Sequence, residues 1–228
     1  TIYRQIRKLP PAHVLVRDAA GTRVSRYWSL EYLPKVAIGE EEAAREVRRL
    51  LTEAVRKRLI SEVPLGAFLS GGVDSSAVVA IMAGLVGAPV KTFAIGFDDP
   101  RFNELPHARR VAEQYGCEHH EFEVRPHAIE VLPSLIRHYG EPYADSSAVP
   151  TYYVARETRK HVTVALNGDG GDESFAGYDR YIAMGLTEKY RRVPSLLRES
   201  IIKETVNLIP TTPGKRSRVN SAKRLLAN

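Results

Sequence analysis

Four short apolar runs alternate with stretches of helical composition between residues 64 and 167. The runs are PLGAFLS (64–70), VKTFAIGF (90–97), EHHEFEV (118–124) and HVTVALN (161–167). The helices predicted between them are 74–86, 104–115, 127–139 and 147–160. Strands rich in Val, Ile and Phe that alternate with helices in this way favour an α/β fold, a doubly wound parallel sheet with flanking helices.

The segments before this alternation are predicted to be simpler. Residues 12–28 read as two extended runs around a turn at Ala20 and Gly21, a hairpin too small to bury its own face. An amphipathic helix follows over 39–62, and Pro64 ends it. Its apolar stripe is expected to consist of Val47, Leu50, Leu51, Ala54 and Leu59.

Composition restricts the compartment and the partners. The single cysteine, Cys117, excludes a disulfide framework and fits a reducing cytoplasm. No apolar run approaches the roughly 18–20 residues that cross a bilayer, so no membrane partner is expected. The net charge of +6 is concentrated in residues 188–228, which carry ten Lys and Arg against three Asp and Glu. This tail lacks aromatic interleaving, so nucleic-acid binding is not the favoured interpretation.

The first strand ends in the polar segment SGGVDSS (70–76), which contains the adjacent glycines Gly71 and Gly72. Such glycines let backbone N–H groups turn toward one point, and the next helix adds the positive end of its dipole. Three hydroxyls add donors: Ser70, Ser75 and Ser76. Asp74 would repel phosphate unless it holds a divalent metal. The segment predicts a polyphosphate site, and the alternative is a plain turn in which Asp74 caps the helix.

The fourth strand leads into a second polar loop, NGDGGDE (167–173), which contains three acidic side chains and three glycines. Ligands of such sheets bind beyond the carboxyl ends of the strands, where both loops lie, so both are expected to grip one ligand. The alternative is a solvent-exposed acidic turn or a calcium loop, although the spacing excludes an EF-hand. The first loop likewise matches neither a Walker-type loop nor G-x-G-x-x-G.

With a strand before it and a helix after it, SGGVDSS resembles the pyrophosphate loop of the N-type ATP pyrophosphatases, whose fold is adenine nucleotide α-hydrolase-like. Within that superfamily, further stretches resemble the synthetase domain of glutamine-hydrolysing asparagine synthetases. They are LGAFLSGGVDSS, TFAIGF, HHEFEV, EPYADSSAVPTYYVAR and LNGDGGDESFAGYDRY. IRKLPPAH and RYW resemble the junction after that family's amino-terminal glutaminase domain, so the resemblance covers residues 1–185.

The resemblance implies an ATP-dependent ligase that forms an amide. A carboxylate, aspartate's in the namesake enzymes, attacks the α-phosphorus of ATP and releases pyrophosphate, and ammonia then displaces AMP. ATP and Mg²⁺ are the implied cofactors, with Asp74 and Asp172 as the metal ligands. The implied catalytic residues are Asp169, Ser70 and Asp74. The implied nucleotide contacts are Leu69, Ser70, Gly71, Gly72, Asp74, Ser75, Ser76, Ile95, Asn167 and Gly168.

Some of these positions depart from the family or have a second explanation. The namesake enzymes often have glutamate where Asp169 stands and serine where Asn167 stands. Leu69 and Ile95 end two strands, and burial in the core explains apolar residues there as well as an adenosine contact does.

Two further polar features are weaker candidates. In Asp145-Ser146-Ser147 the hydroxyls could meet phosphate or the acceptor, and a helix N-cap is an equal alternative. His119 and His120 are neighbours in a strand and point to opposite faces, so they cannot chelate together.

The resemblance also implies the domain organisation and the partners. Residues 1–34 would end a glutaminase domain, 35–190 would form the ATP-binding synthetase domain, and 191–228 would be a basic, partly helical tail. The family's glutaminase nucleophile is an amino-terminal cysteine, whereas this chain starts at Thr1. We therefore expect a fragment of a larger amidotransferase that takes a small carboxylate and ammonia, with a homodimer as a possible state of the full-length protein.

Three alternatives remain open from the sequence. A relative could use another acceptor, as β-lactam-forming synthetases and other amidating enzymes do. A nucleotide-binding module could have lost catalysis, in which case it would not need both Asp74 and Asp172. An RNA-modifying enzyme could share the pyrophosphate loop and use the basic tail, although the nearly neutral body argues against it.

Overall fold

A computed structural model describes residues 1–97, 103–124 and 128–194. The chain forms two compact units, Thr1–Gly168 and Asp169–Asn228. The strands of the first unit are β1 (His13–Asp18), β2 (Gly21–Arg26), β3 (Leu65–Phe68), β4 (Lys91–Gly96), β5 (Glu118–Glu123) and β6 (Val164–Leu166). Its helices are α1 (Glu40–Arg58), α2 (Val73–Leu85), α3 (Leu105–Gln114), α4 (Ala128–Tyr139) and α5 (Ala148–Thr158). The described part of the second unit contains α6 (Gly171–Phe175) and α7 (Asp179–Arg191).

The main sheet has four parallel strands in the order β5-β4-β3-β6. The chain builds outward from β3 to β4 and β5, and then returns to place β6 on the other side of β3. Strand order therefore reverses at β3, which makes the β3/β6 boundary a topological switch point. The predicted α/β fold with a parallel sheet and flanking helices is confirmed.

Two apolar clusters cover the two faces of this sheet. The first is formed by α1, α2 and α3 against β3 and β4, and the second by α4 and α5. In β4, Ala94 joins the first cluster while its neighbour Ile95 packs against the second, because successive strand residues point to opposite faces. Phe93, which precedes Ala94, is fully buried and stacks on His120 and Phe122 of β5.

The fourth strand is shorter than its predicted run of 161–167. The N–H groups of His161 and Val162 both donate to the carbonyl of Thr158, which continues the end of α5. Thr163 N–H then donates to the carbonyl of Pro64. Regular pairing with β3 can therefore begin only at Val164.

The predicted apolar stripe of α1 is partly wrong. Val47 and Leu50 are 39% and 50% exposed, whereas Val55, which lies outside that stripe, is 4% exposed. Most of the shielded residues of α1 fall between Leu51 and Leu59. The carboxyl-terminal half of the helix thus supplies its contact with the core.

The hairpin β1–β2 is antiparallel, with His13 opposite Arg26 and Asp18 opposite Gly21. Its turn lies at Ala19–Ala20, one residue before the predicted turn, and the Asp18 carboxylate accepts the Ala20 N–H at 2.9 Å. All but the first residue of each strand are exposed, as expected for a hairpin that cannot bury its own face.

Within the described ranges, no helix combines the length and the apolarity needed to cross a membrane. Of the basic tail predicted over 191–228, residues 195–228 lie outside the described part of the chain.

Candidate functional site

The turn that follows β3 is held by its own packing. Leu69 is 1% exposed, and its N–H donates to the Phe93 carbonyl at 2.8 Å. Ser70, the next residue, is exposed. Leu69 is therefore a core residue, and its predicted contact with adenosine stays a prediction.

Gly71 occupies the position of this turn that requires glycine. Its φ is +80°, and a Cβ there would lie 2.5 Å from His107 Cβ and 2.6 Å from the Ala108 nitrogen. Gly72, in contrast, has φ −70°, and a Cβ would meet Ser70 Oγ at 3.3 Å. The sequence gives no signal for the His107 contact, because His107 lies outside any recognisable motif.

The amino terminus of α2 faces this turn without a side-chain cap. Its N-cap residue is Gly72, and no side chain caps the helix. Asp74 lies in the first turn of α2, half-buried, so the alternative in which Asp74 caps the helix is wrong. Uncapped N–H groups at a helix start form an anion-binding arrangement.

The three serines of the segment differ in what they contact. Ser70 Oγ and Ser75 Oγ lie 2.9 Å apart, Ser75 Oγ donates to the Gly72 carbonyl at 3.3 Å, and Gly72 N–H donates to Ser70 Oγ at 3.2 Å. These two hydroxyls brace the turn. Ser76 Oγ is buried and has no hydrogen-bond partner among the described residues, so it retains an unused donor.

The loop after β6 passes directly over the first turn of α2. A Cβ at Gly168 would lie 2.7 Å from the Ser75 nitrogen and 2.9 Å from Asp74 Cβ. Gly168 therefore has no room for a side chain. Within the first unit, the start of the second polar loop, at Gly168, meets the first polar loop at the switch point between β3 and β6.

In the second unit, the acidic residues occupy the start of α6. Gly170 is the N-cap with φ +92°, and Asp172 and Glu173 lie in the first turn. Gly177 N–H donates to the Asp172 carbonyl at 2.9 Å, and a Cβ at Gly177 would collide with the Asp172 carboxylate. The position of Asp172 is thus supported locally.

Glu173 is engaged by a neighbouring tyrosine. The Tyr178 hydroxyl donates to Glu173 Oε1 at 2.6 Å. This hydrogen bond lowers the pKa of Glu173 and raises the pKa of Tyr178 to about 12. Glu173 therefore has a local role, and it was not among the residues predicted to bind metal or nucleotide.

The remaining candidates have structural roles. Ile95 is half-buried against the second apolar cluster. The Asp145 carboxylate accepts the Ser147 N–H at 2.9 Å just before α5, which lowers the pKa of Asp145. Cys117 packs against the first cluster, and burial raises the pKa of its thiol.

The adjacent histidines of β5 point to opposite faces, as predicted. His119 Nδ1 lies 2.8 Å from Thr92 Oγ1, whereas the His120 ring stacks on Phe93 at 5.3 Å between centroids. Across the part of the chain that the structure describes, no group of three or more His, Cys, Asp and Glu side chains could hold a metal ion.

Comparison with known proteins gives a family match over residues 46–227, to the model described as asparagine synthase. The glutamine-hydrolyzing asparagine synthetase 1 of Bacillus subtilis is 34% identical over 204 residues, 89% of this chain and 32% of that protein. The putative asparagine synthetase 2 of Methanocaldococcus jannaschii is 36% identical over 202 residues, 87% of this chain and 39% of that protein.

Amidase chyE of Penicillium rubens is 32% identical over 216 residues, 86% of this chain and 32% of that protein. The chain thus spans about a third of the length of these curated relatives. Among solved structures, NMN synthetase from Francisella tularensis aligns at 16% identity and a TM-score of 0.40, covering 62% of this chain and 59% of that one. A likeness of that extent assigns neither fold nor function.

Proposed function

The chain belongs to the asparagine synthase family, and we propose that it is the synthetase part of an ATP-dependent ligase that forms amides. In the proposed reaction, a carboxylate oxygen of the acceptor bonds to the α-phosphorus of ATP as the bond to the β-phosphate oxygen breaks. Pyrophosphate leaves with the electron pair of that bond. Ammonia then attacks the activated carbonyl, loses a proton and displaces AMP, which leaves the amide.

One observation carries this proposal: Gly168 lies against Asp74 and Ser75 at the β3/β6 switch point. The start of the second polar loop therefore borders the first loop at the carboxyl edge of the sheet. If each loop served only its own local structure, the second loop would not need a glycine at 168 that lets it pack closely on the first. The contact supports a single ligand that both loops grip.

The residues present fit a polyphosphate. The glycines allow close packing around the turn, Gly71 against α3 and Gly168 against α2, and the start of α2 offers N–H donors without a side-chain cap. We assign to the same ligand the hydroxyl of Ser76, in the first turn of α2, whose buried Oγ has no hydrogen-bond partner among the described residues. Ser70 and Ser75 hold the turn in the shape that presents these groups.

The donor set also fits a divalent cation next to phosphate. Carboxylate oxygens are hard ligands that Mg²⁺ prefers, and Mg²⁺ usually takes one or two of them together with substrate phosphates. We assign Asp74 and Asp172 to this role. When bound, Mg²⁺ would neutralise charge on the departing pyrophosphate.

The remaining assignments follow the family motif residue by residue. Asn167 and Gly168 would lie along the nucleotide, Asp169 would hold the acidic position that assists adenylate formation, and Leu69 and Ile95 would border the adenosine. We further propose that residues 35–190 form the synthetase domain, that ammonia comes from a glutaminase domain, and that the full-length protein can pair as a homodimer.

A second acceptor class is favoured by one comparison. Amidase chyE matches this chain almost as well as the asparagine synthetases do, at 32% identity. Since this relative is not named an asparagine synthetase, the family match by itself does not assign aspartate as the acceptor, and our second candidate keeps adenylation and replaces aspartate with another carboxylate.

Exchange of labelled pyrophosphate into ATP tests the proposal and separates the two acceptors. The purified protein is incubated with ATP and Mg²⁺, with aspartate or with a panel of other carboxylic acids; asparagine and alanine, which lack the side-chain carboxylate, are the matched controls. We expect exchange only when an acceptor carboxylate is present. Exchange with another acid and none with aspartate would select the second class, and exchange equal with every addition would contradict adenylation.

A further inference from the structure

The first turn of α3 lies directly against the glycine turn. A Cβ at Gly71 would lie 2.5 Å from His107 Cβ and 2.6 Å from both the His107 carbonyl carbon and the Ala108 nitrogen. The His107 side chain therefore starts at this contact, and His107 is exposed to solvent. An imidazole that starts at this contact is long enough to reach a group bound at the turn.

The backbone of this turn of α3 has no donor left for an anion. Leu105 N–H donates to Asn103 Oδ1 at 3.1 Å, and Pro106 has no N–H. The N–H groups of His107 and Ala108 both donate to the Glu104 carbonyl, at 3.0 and 3.1 Å. Beside Gly71, α2 thus offers uncapped backbone donors, whereas α3 can offer only a side chain.

The charges around this turn favour an additional side-chain hydrogen-bond donor for phosphate. The segment SGGVDSS contains no Lys or Arg, and Asp74 adds a negative charge. The basic residue nearest to His107 in sequence, Arg109, is engaged by Glu121 through two contacts of 3.0 and 2.6 Å. An imidazole can donate a hydrogen bond in its neutral form and adds a positive charge when protonated.

We propose that His107 is a further binding residue of this site, whose imidazole donates to phosphate oxygens held over Gly71. This inference rests on the proposed function, and it concerns a residue outside both motif loops. It assigns to His107 the polyphosphate portion of ATP and the pyrophosphate product, and no contact with the adenosine.

Binding of Mg²⁺-pyrophosphate, measured by calorimetry, tests the assignment with two variants of His107. His107→Gln removes the imidazole, and we expect it to weaken pyrophosphate binding about 10–100-fold, as for one lost hydrogen bond to a charged group. His107→Lys keeps a cationic donor, and we expect binding within about twofold of the original chain. His138→Gln, in exposed surroundings on α4, is the matched control and should bind like the original chain.

Adenosine binding, measured by ligand-observed NMR, separates a direct contact of His107 with phosphate from a general effect of the substitution on packing. His107→Gln should leave it unchanged, because adenosine has no phosphate. Equal losses for adenosine and pyrophosphate, or pyrophosphate binding by His107→Gln as tight as the original, would overturn the assignment. If the original chain binds neither ATP nor pyrophosphate, the proposed function itself fails, so the two failures are distinguishable.

Discussion

The two glycine-rich loops of this chain are similar in composition and differ in what supports them. The SGGVDSS turn touches α3 at His107, the loop after β6 at Gly168 and its own hydroxyls at Ser70 and Ser75. The loop that begins the second unit is supported by near neighbours in sequence, with Asp172 beside Gly177 and Glu173 bonded to Tyr178. Glycine is thus required at Gly71 and Gly168 by distant parts of the chain, and at Gly170 and Gly177 by local geometry.

The largest expected effect comes from Gly71→Ala, which sharpens this comparison. Alanine at φ +80° is strained, and its Cβ would collide with the backbone of α3. We expect a loss of about 2–5 kcal/mol in the free energy of unfolding, from strain plus overpacking. MgATP binding should fall below detection because the turn must move.

Gly140→Ala is the matched control for that substitution. Gly140 also has a positive φ, +70°, but a Cβ there meets nothing within 4 Å. The expected loss is about 1–2 kcal/mol, from strain alone. Denaturant unfolding measures both variants, and equal losses would mean that the contact with α3 does not constrain the turn.

A smaller effect is expected for Gly168→Ala. Here φ is not strained, and the cost comes from a Cβ 2.7 Å from the Ser75 nitrogen. We expect about 1–3 kcal/mol of destabilisation and a clear loss of MgATP affinity. Gly84→Ala, toward the other end of α2 with open space around it, should instead stabilise by about 0.5–1 kcal/mol. Unchanged affinity in Gly168→Ala would break the claim that the two loops share a ligand.

The smallest effect is expected in the second loop, from Tyr178→Phe. Without the tyrosine hydroxyl, the pKa of Glu173 should rise toward its ordinary value. NMR titration of the Glu173 carboxyl measures this, and Tyr181→Phe, in the first turn of α7 just after Tyr178, should leave that titration unchanged. A Glu173 titration unaltered by Tyr178→Phe would show that another group holds the carboxylate.

The hydrogen bond between Tyr178 and Glu173 makes the stability of the fold depend on pH on both the acid and the alkaline side. The pKa of Glu173 is lowered in the folded chain. Its contribution to folding stability is therefore present above the pKa of the unfolded chain, and it is lost as the pH falls through the pKa of the folded chain. The pKa of Tyr178 is raised, so its contribution is lost only as the pH rises through about 12. Tyr178→Phe should therefore reduce the acid-side loss of stability.

The sheet was largely predictable because its signals are local. Alternating apolar runs identify the strands, and polar loops at their ends identify the ligand edge, as Gly168 against Ser75 illustrates. The return of β6 beside β3 was not predictable in this way, since strand order depends on contacts between residues far apart in sequence.

Packing details were also beyond local patterns. Val55 is buried and Leu50 exposed because only part of α1 meets the core, which helical periodicity does not reveal. Likewise, two adjacent glycines in the sequence do not indicate which of them has the positive φ. In the structure it is Gly71, whereas Gly72 is the N-cap of α2. His107 enters the picture only once α3 is seen against the turn.

A double-mutant cycle on MgATP affinity tests the central claim most directly: that Asp74 and Asp172 hold one metal-bound polyphosphate. Each single change to Asn should weaken MgATP binding about 10–100-fold, whereas Asp18→Asn, in the exposed hairpin where Asp18 pairs with Arg23, should not. The account predicts that the double variant binds little worse than either single variant, because both lose the same ion. Losses that simply add, or an Asp172→Asn variant that binds MgATP as well as the original chain, would contradict it.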